Sequence, residues 1–543
     1  MSIIAELILH NGKIWTGDQG QPEVSSIAVA KGRILAAGGD KQIKNEFCGA
    51  ETECIDLEGK LLIPGLNDSH MHLTGIGSQL EKVELAGCRS VEDLVKRFQS
   101  AARPEGNNWY SGRGFNHEQF HDHRMPTKHD LDQISTEIPV VAVRTCGHVA
   151  ICNSKLLEMA GIVKGFGQVE GGEIGYDASG EPNGFLAESA LALIWGLAPQ
   201  STEEDYQRII ARAVPALLAV GLTSVQSDDL GNEFWDEKIA AYHKLYQQGQ
   251  LPLRINHQLR LGSPEQVLAF VKWREDHKHT LSFDPLQFAY GPVKLMTDGS
   301  LGGRTAAMSE PYADDPTTMG VPVLTREQMV AIFKAAHENG FQLCGHAIGD
   351  QAIIDLVEAA AEVISENERT SARPRVIHAQ ITTQNMLERM QELSFHCDIQ
   401  PAFVATDYPI VARRVGEAKA ETSYAWKEML NLGITISGGS DSPVESFNPF
   451  YGIWCAVTRT DLDGNPRGGW LPEQKLTVAE AVALYSTGSA YAEGKDQVKG
   501  KIAKGYLADC ILLDRDIFTV PVEQIKDTKV LTSWIGGKVA YQA

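Results

Sequence analysis

Eight apolar runs, separated by amphipathic stretches of helical periodicity, dominate the middle of this 543-residue chain. They lie at 61–70, 222–228, 253–261, 287–296, 341–346, 374–379, 394–400 and 434–439. Apolar runs alternating with amphipathic helices are the pattern of a parallel sheet joined by crossover helices. Eight such units are what a (β/α)8 barrel needs. The stretch 325–339 illustrates the helical half of the unit, with Thr325 as N-cap and Gly340 just past its end. The predicted fold class is therefore α/β, a TIM-like barrel.

The two ends of the chain have a different texture. Residues 1–60 hold short β-like runs separated by turns, among them a Glu58-Gly59-Lys60 turn, and residues 492–543 repeat that texture. Small hairpins cannot bury enough surface alone, so the two ends are expected to pair into one composite β-sandwich. That leaves 61–491 for the barrel. About 150 residues separate its first strand from its second, too many for a loop without structure of its own. The centre of that gap, 110–190, is rich in Gly, Asn, Asp and His, and reads as an inserted lobe covering the barrel mouth. Gly-rich runs at 165–175 and 180–184 would supply it with backbone freedom.

Charge narrows the functional classes. Seventy acidic residues against 49 basic ones give a formal net charge of −21. Such a surface repels nucleic-acid phosphates and anionic lipid, and no Lys/Arg block overcomes this locally. The expected partner is a small molecule, with neither nucleic acid nor membrane. The opening MSIIAELILHNGKIW is interrupted by Glu6 and His10 and has no basic residue before its apolar stretch, so no leader or membrane helix is read there. Nine scattered cysteines without a C-x-x-C pair read as reduced thiols of a cytoplasmic protein.

The chemistry-bearing residues fall at strand ends. His70 and His72 form an H-x-H at the end of the first run, and residues i and i+2 of a strand face the same way. Lys294, His346, His378 and Asp441 close four later runs. In a (β/α)8 barrel the C-terminal strand ends surround a single cavity, so residues hundreds of positions apart meet there. Imidazoles with a carboxylate suit zinc or a similar divalent ion with an open position for water. Water held there ionises near neutral pH.

The segments PGLNDSHMH, VKLMTDGSLGGRTA, HAIGD, VIHAQ and GGSDSPVE, in this order between the two sandwich-like ends, closely resemble the amidohydrolase superfamily. Within it they are similar to the amidohydrolase family 3 group, which includes N-substituted formamide deformylases. The similarity extends to ADCILLDRD near residue 516. The resemblance implies that His70, His72, His346 and His378 are metal ligands. It implies that Asp441 binds the metal and its water and shuttles a proton from that water to the leaving group. Lys294 matches a position that in several relatives is a carboxylated lysine bridging two metals. Its alternative is a plain ammonium paired with Asp298 or Glu188. One or two ions per chain are compatible with these residues, and a homo-oligomer, a dimer first of all, is the expected assembly.

Other residues carry weaker signals. Asp298 and Arg304 flank a Gly-rich loop that either holds a substrate anion or is a plain turn. His148, in CGHVAICN, resembles the family's D-G-H motif with Cys146 in place of the acid. Glu188 resembles an element reaching the metal pocket, or is a helix-start glutamate. The run HEQFHDH places His117, His121 and His123 close together, either as a loop lining the pocket or as a second metal cluster. Trp109, Phe115, His117 and His148 are the expected substrate contacts of the lobe, joined by Glu188, Asp298 and Arg304. The predicted function is hydrolysis of an amide or N-formyl C–N bond by metal-activated water, with His346 or His378 stabilising the oxyanion. A deaminase or cyclic-amide hydrolase of the same superfamily, and a catalytically silent binding barrel, are the alternatives.

Overall fold

The computed structural model describes residues 4–102, 109–144, 149–169, 172–198, 200–231 and 235–543. The chain divides into two compact units, one formed by residues 1–76 with 206–543 and the other by 77–205.

The first unit contains the barrel. Its strands are β1 (Leu66–Met71), β2 (Leu222–Gly231), β3 (Arg254–Arg260), β4 (Phe288–Met296), β5 (Leu343–Ala347), β6 (Arg375–His378), β7 (His396–Ile399) and β8 (Thr435–Gly438). Each pairs in parallel with the next in sequence, giving an eight-stranded sheet. The eight expected runs are thus the eight strands. The seam between β8 and β1 is stitched by a side chain as well as by backbone. The Asp68 carboxylate accepts from the backbone N–H of Ser440 at 3.0 Å and of His70 at 3.0 Å, and the Asp441 N–H donates to His70 O at 2.8 Å.

The expected first strand, 61–70, is in fact two. Leu61–Pro64 belongs to another sheet, and β1 begins after Gly65. A Cβ at Gly65 would lie 2.2 Å from Thr223 Oγ1, so only glycine lets the chain cross there. The Leu61–Pro64 strand pairs antiparallel with Cys510–Leu513, which pairs in turn with Val530–Ile535. A four-stranded sheet of Leu7–His10, Ser26–Ala30, Arg33–Gly38 and Glu53–Asp56 completes the sandwich. Leu7, Leu9, Ile27, Leu62, Ile502, Cys510 and Trp534 share one buried cluster, so both ends of the chain build one core. The turn at Glu58 and Gly59, with φ of +54° and +74°, is not a hairpin: it passes the chain from one sheet to the other. The helix Arg326–Glu338 has the expected Thr325 cap, reinforced by a capping box with Gln328, and Gly340 follows it at φ +76°.

The second unit is larger than the expected lobe of 110–190 and more regular. It holds a six-stranded mixed sheet from Val83–Glu84 to Pro182–Glu188. Alternating residues of Val140–Arg144 feed two cores. Val140 and Ala142 pack with Phe98, Tyr110 and Phe120, while Val141 and Val143 pack with Leu156, Ile174 and Leu186. Much of the Gly-rich stretch is hairpin, because Gly172–Tyr176 pairs antiparallel with Pro182–Glu188. Gly184, at φ +101°, sits where a Cβ would lie 2.6 Å from Cys152 O. Gly172, Gly175 and Gly184 serve close approach, whereas Gly165 and Gly167, at φ +83° and +91°, have open space where a Cβ would stand.

Candidate metal centre

Six barrel strands deliver polar side chains to their C-terminal ends. β1 supplies His70 with His72 just beyond it, β2 supplies Asp228, β4 Lys294, β5 His346, β6 His378, and Asp441 follows β8. His70 is 1% exposed and its Nε2 lies 3.2 Å from Asp441 Oδ1; His72 Nε2 lies 3.1 Å from the same oxygen. The rings of His70 and His378 stand 5.6 Å apart at their centroids, and those of His378 and His346 4.5 Å apart. Among the described residues, two groups bring ligand atoms within 4.8 Å of one another: His70, His378 and Asp441, and His70, His72 and Asp228. His346 stands beside the first group without belonging to it.

The far side of each imidazole decides what its near side offers. His70 Nδ1 lies 2.8 Å from Gln258 Oε1, and His378 Nδ1 lies 2.6 Å from Gln400 Oε1. The orientation of both glutamines is fixed independently, since Gln258 Nε2 donates to Ser69 O at 3.0 Å and Gln400 Nε2 to Asp398 O at 3.3 Å. Their carbonyls therefore face the histidines, which places the proton on Nδ1 and the lone pair on Nε2. His72 is held in the same way, with Nδ1 3.1 Å from the backbone oxygen of Asp228. Three Nε2 lone pairs anchored by acceptors behind them are the second-shell arrangement of metal-binding histidines. The residues present fit a divalent cation.

Protonation agrees for the buried members. Burial, with the Lys294 charge, pushes His70 below its ordinary value, and burial with His346 nearby pushes His378 well below it. Neutral imidazole is the ligating form. For Asp441 burial works upward but is outweighed by His70 and His72, so its carboxyl lies well below the usual range. For His72 burial works downward and is outweighed by Asp441 and Asp228, so it is raised. Several backbone positions here are left-handed without being glycine: His378 at φ +83°, Ala379 at +46° and Asp441 at +53°. Such strain is held only where the surroundings over-determine it.

Several expectations are corrected. Lys294 meets a carboxylate that the sequence did not single out, Asp228, and not Asp298. Its Nζ lies 2.6 Å from Asp228 Oδ2 and 3.5 Å from His70 Nε2, and Arg260 clamps the same Asp228 at 2.8 Å. Asp298 is an acceptor for the backbone, taking N–H bonds from Ala307 at 3.0 Å, Ile348 at 3.2 Å and Gly349 at 2.8 Å. Its Oδ1 also lies 3.2 Å from His346 Nε2, which is 3.1 Å from Gly299 O. His346 Nε2 thus faces two oxygens, Asp298 Oδ1 and Gly299 O, while His378 Nδ1 faces Gln400 Oε1. Arg304 forks onto Asp314 at 3.0 and 3.1 Å, which offsets the charge expected to hold a substrate anion.

The remaining predicted contacts belong to the second unit. Phe115 is wholly buried among Phe98, Tyr110 and Phe120, a core side chain rather than a surface one. Trp109 stacks on Trp195 at 5.9 Å. His117 opens a short 3-10 turn, His117–Gln119, so HEQFH is not the helix a zinc-protease motif requires. Neither candidate ligand group among the described residues includes His117, His121 or His123. Glu188 ends its strand at φ +51°, and His148 lies outside the described residues. Asp228, Arg260, Gln258 and Gln400 were not singled out from the sequence. The acid pair ending the run at 222–228 was the available signal for Asp228, a carboxylate at a strand end like Asp441.

An eight-stranded parallel barrel whose strand ends gather histidines and a carboxylate, beside a sandwich built from both chain ends, is the architecture of a metal-dependent hydrolase. The chain belongs to the amidohydrolase family, whose sequence profile matches residues 53–541. It is 33% identical to the amidohydrolase YtcJ of Bacillus subtilis, over 98% of this chain and 99% of that one. It is 24% identical to the N-substituted formamide deformylase of Arthrobacter pascens, over 100% of this chain and 99% of that protein. Among solved structures, a metal-dependent hydrolase of Pyrococcus furiosus superposes with a TM-score of 0.78 at 30% identity, covering 94% of this chain and all of that one.

Proposed function

We propose that this chain hydrolyses the C–N bond of a small amide or N-formyl compound, using a divalent cation, zinc in the first instance. The observation that carries this reading is the convergence of His70 and His72 Nε2 on one Asp441 oxygen, with each imidazole anchored through Nδ1. The full-length similarity to an N-substituted formamide deformylase supports the choice of bond. When bound, the cation supplies Lewis acidity, lowering the pKa of water and polarising a carbonyl.

The chain's own residues do the rest. His70, His72 and His378 would hold the ion, and Gln258, Gln400 and the Asp228 carbonyl keep their Nε2 lone pairs aimed. Asp441, an anion at neutral pH, accepts the proton of the attacking water at a carboxylate oxygen and returns it to the departing nitrogen. Lys294 sets the number of ions. As an ammonium it pairs with Asp228, and a single ion would be held. As an N-carboxylate it would offer oxygen ligands in place of a positive charge, so that a second ion could be held. Intact mass after mild preparation separates the two forms.

The test is metal analysis of the purified protein, followed by hydrolysis of a panel of formamides, acyl-amines and hydantoins. The expected result is bound divalent metal and turnover of a linear amide. Preference for the hydantoins would move the activity to cyclic amides, and bound metal with no turnover on any of them would favour a silent barrel. His70→Ala and His72→Ala should each lose most of the metal and keep the fold, because the ligands sit at the catalytic face and not in the stabilising layers. Stoichiometric metal in both variants would overturn the site.

A further inference from the structure

Two thiols of the sandwich lie together at the surface. Cys48 Sγ is 3.8 Å from Cys54 Sγ, in contact and unbonded, and both residues are exposed. Every other described cysteine is buried: Cys88, Cys152, Cys344, Cys397, Cys455 and Cys510. Burial shields these six thiols from oxidants in solution.

The backbone holds the exposed pair in place. Cys48 caps the helix Asp40–Phe47, and Cys54 lies on Glu53–Asp56, an edge strand of the four-stranded sheet. Both elements are tied to the start of the chain's first strand, since the Ala5 N–H donates to Phe47 O at 2.9 Å and the Glu53 N–H to Glu6 O at 3.0 Å. The turn between them is pinned by Thr52, whose Oγ1 accepts from Gly49 N–H at 2.8 Å and donates to Ala5 O at 2.7 Å. The two sulfurs are therefore neighbours by construction, and bringing them to bonding distance needs only side-chain rotation and a small backbone adjustment.

We propose that Cys48 and Cys54 form a reversible disulfide, a thiol-exchange site in the sandwich. With a small-molecule disulfide such as oxidised glutathione as oxidant, one protein thiolate attacks a glutathione sulfur. The glutathione S–S bond breaks, and one glutathione leaves as thiolate. The second protein thiol, deprotonated, attacks the mixed disulfide, forming the Cys48–Cys54 bond and expelling the other glutathione. Two protein thiols are oxidised, one glutathione disulfide is reduced to two thiols, and the two protons end on those thiols. The bond fastens an exposed edge strand to the helix beside it, the kind of edge that otherwise invites pairing with another chain.

The experiment treats the native full-length protein with oxidised glutathione and reads intact mass and a peptide map. The expected product is lighter by two hydrogens, carries no glutathione, maps to a Cys48–Cys54 link and reverts with dithiothreitol. Cys48→Ser and Cys54→Ser should each stop at one retained glutathione adduct, because the resolving thiol is gone. An unmodified protein, a wild type that keeps its adduct, or a link mapping to any other pair would overturn the proposal. Both serine variants keep the metal centre intact, so the outcome is independent of the reading of the active site.

Discussion

The barrel holds buried charge at two depths, and the two differ in how completely it is satisfied. Between the strands, Arg375 forks onto Asp398 with both bonds at 2.8 Å, and its remaining donors reach Gln226 Oε1 at 2.7 Å and Ser69 O at 3.1 Å. Asp398 also accepts from Ser437 Oγ at 2.6 Å. Neither residue of that pair has any exposure. At the strand ends, His70, His72 and His378 are satisfied on one ring nitrogen, while the other faces a shared carboxylate or the neighbouring rings. The inner network is closed and fixes the fold. The outer one keeps lone pairs for something that is not protein.

That contrast can be broken by experiment. Replacing Arg375 with Met leaves Asp398 charged and without its partner, and should cost about 3–5 kcal/mol of stability. Urea unfolding measures it, and an unchanged midpoint would mean that the inner pair is not structural. Asp441→Asn should leave that midpoint near wild type and keep metal, yet lower kcat by about 100-fold or more, since an amide cannot accept the proton. An unchanged kcat would move proton transfer to another residue.

Gln400→Ala removes the acceptor behind His378 and should weaken metal affinity by about 10–100-fold with little loss of stability. Competition with a chelator reads this, and equal affinity would show that the ring is aimed by packing, against Phe403 at 5.9 Å and the neighbouring imidazoles, rather than by Gln400. The smallest effect concerns acid. Burial pushes Asp398 up, but Arg375 with His396 and Ser437 outweighs it, so its folded carboxyl lies below the ordinary value. A depressed carboxyl contributes stability above its unfolded pKa of about 3.9, and that contribution is lost as pH falls toward the folded value. The stability gap between wild type and Asp398→Asn should therefore be constant above about pH 5 and narrow below about pH 3.9. A gap that ignores pH would mean Asp398 is not ionised.

Much of this was legible in the sequence because the barrel repeats one unit. Each strand declares itself by an apolar run, and the candidate ligands fall at or just past its C-terminal end, so His70, His346, His378 and Asp441 could be placed without knowing the register. What depends on register was not legible. The pairing of Lys294 with Asp228 joins β4 to β2 across the intervening β3, and no spacing along the chain announces it. Gln258 and Gln400 look like ordinary strand polar residues until their inward faces are known. Phe115 misled for the opposite reason: one aromatic in a Gly-rich stretch reads as a loop contact, whereas the strand Tyr110–Phe115 turns it into the core. At 61–70 an unbroken apolar run concealed the change of sheet at Gly65, because a shared hydrophobic character says nothing about which sheet receives each half.

That crossing at Gly65 has a bearing on how the molecule is made. The segment Leu61–Pro64 emerges from the ribosome directly before the two histidines of the metal centre, yet it is sandwiched between Lys13–Trp15 and a strand, Cys510–Leu513, translated hundreds of residues later. Until then one edge of it lies open, and β1, continuous with it, also waits for β8 to close the ring. Assembly of the catalytic end is thereby postponed until nearly all of the polypeptide is available. A chain released early, short of Cys510, would carry both histidines beside an unpaired apolar edge, a target for chaperones and proteases rather than a partial enzyme.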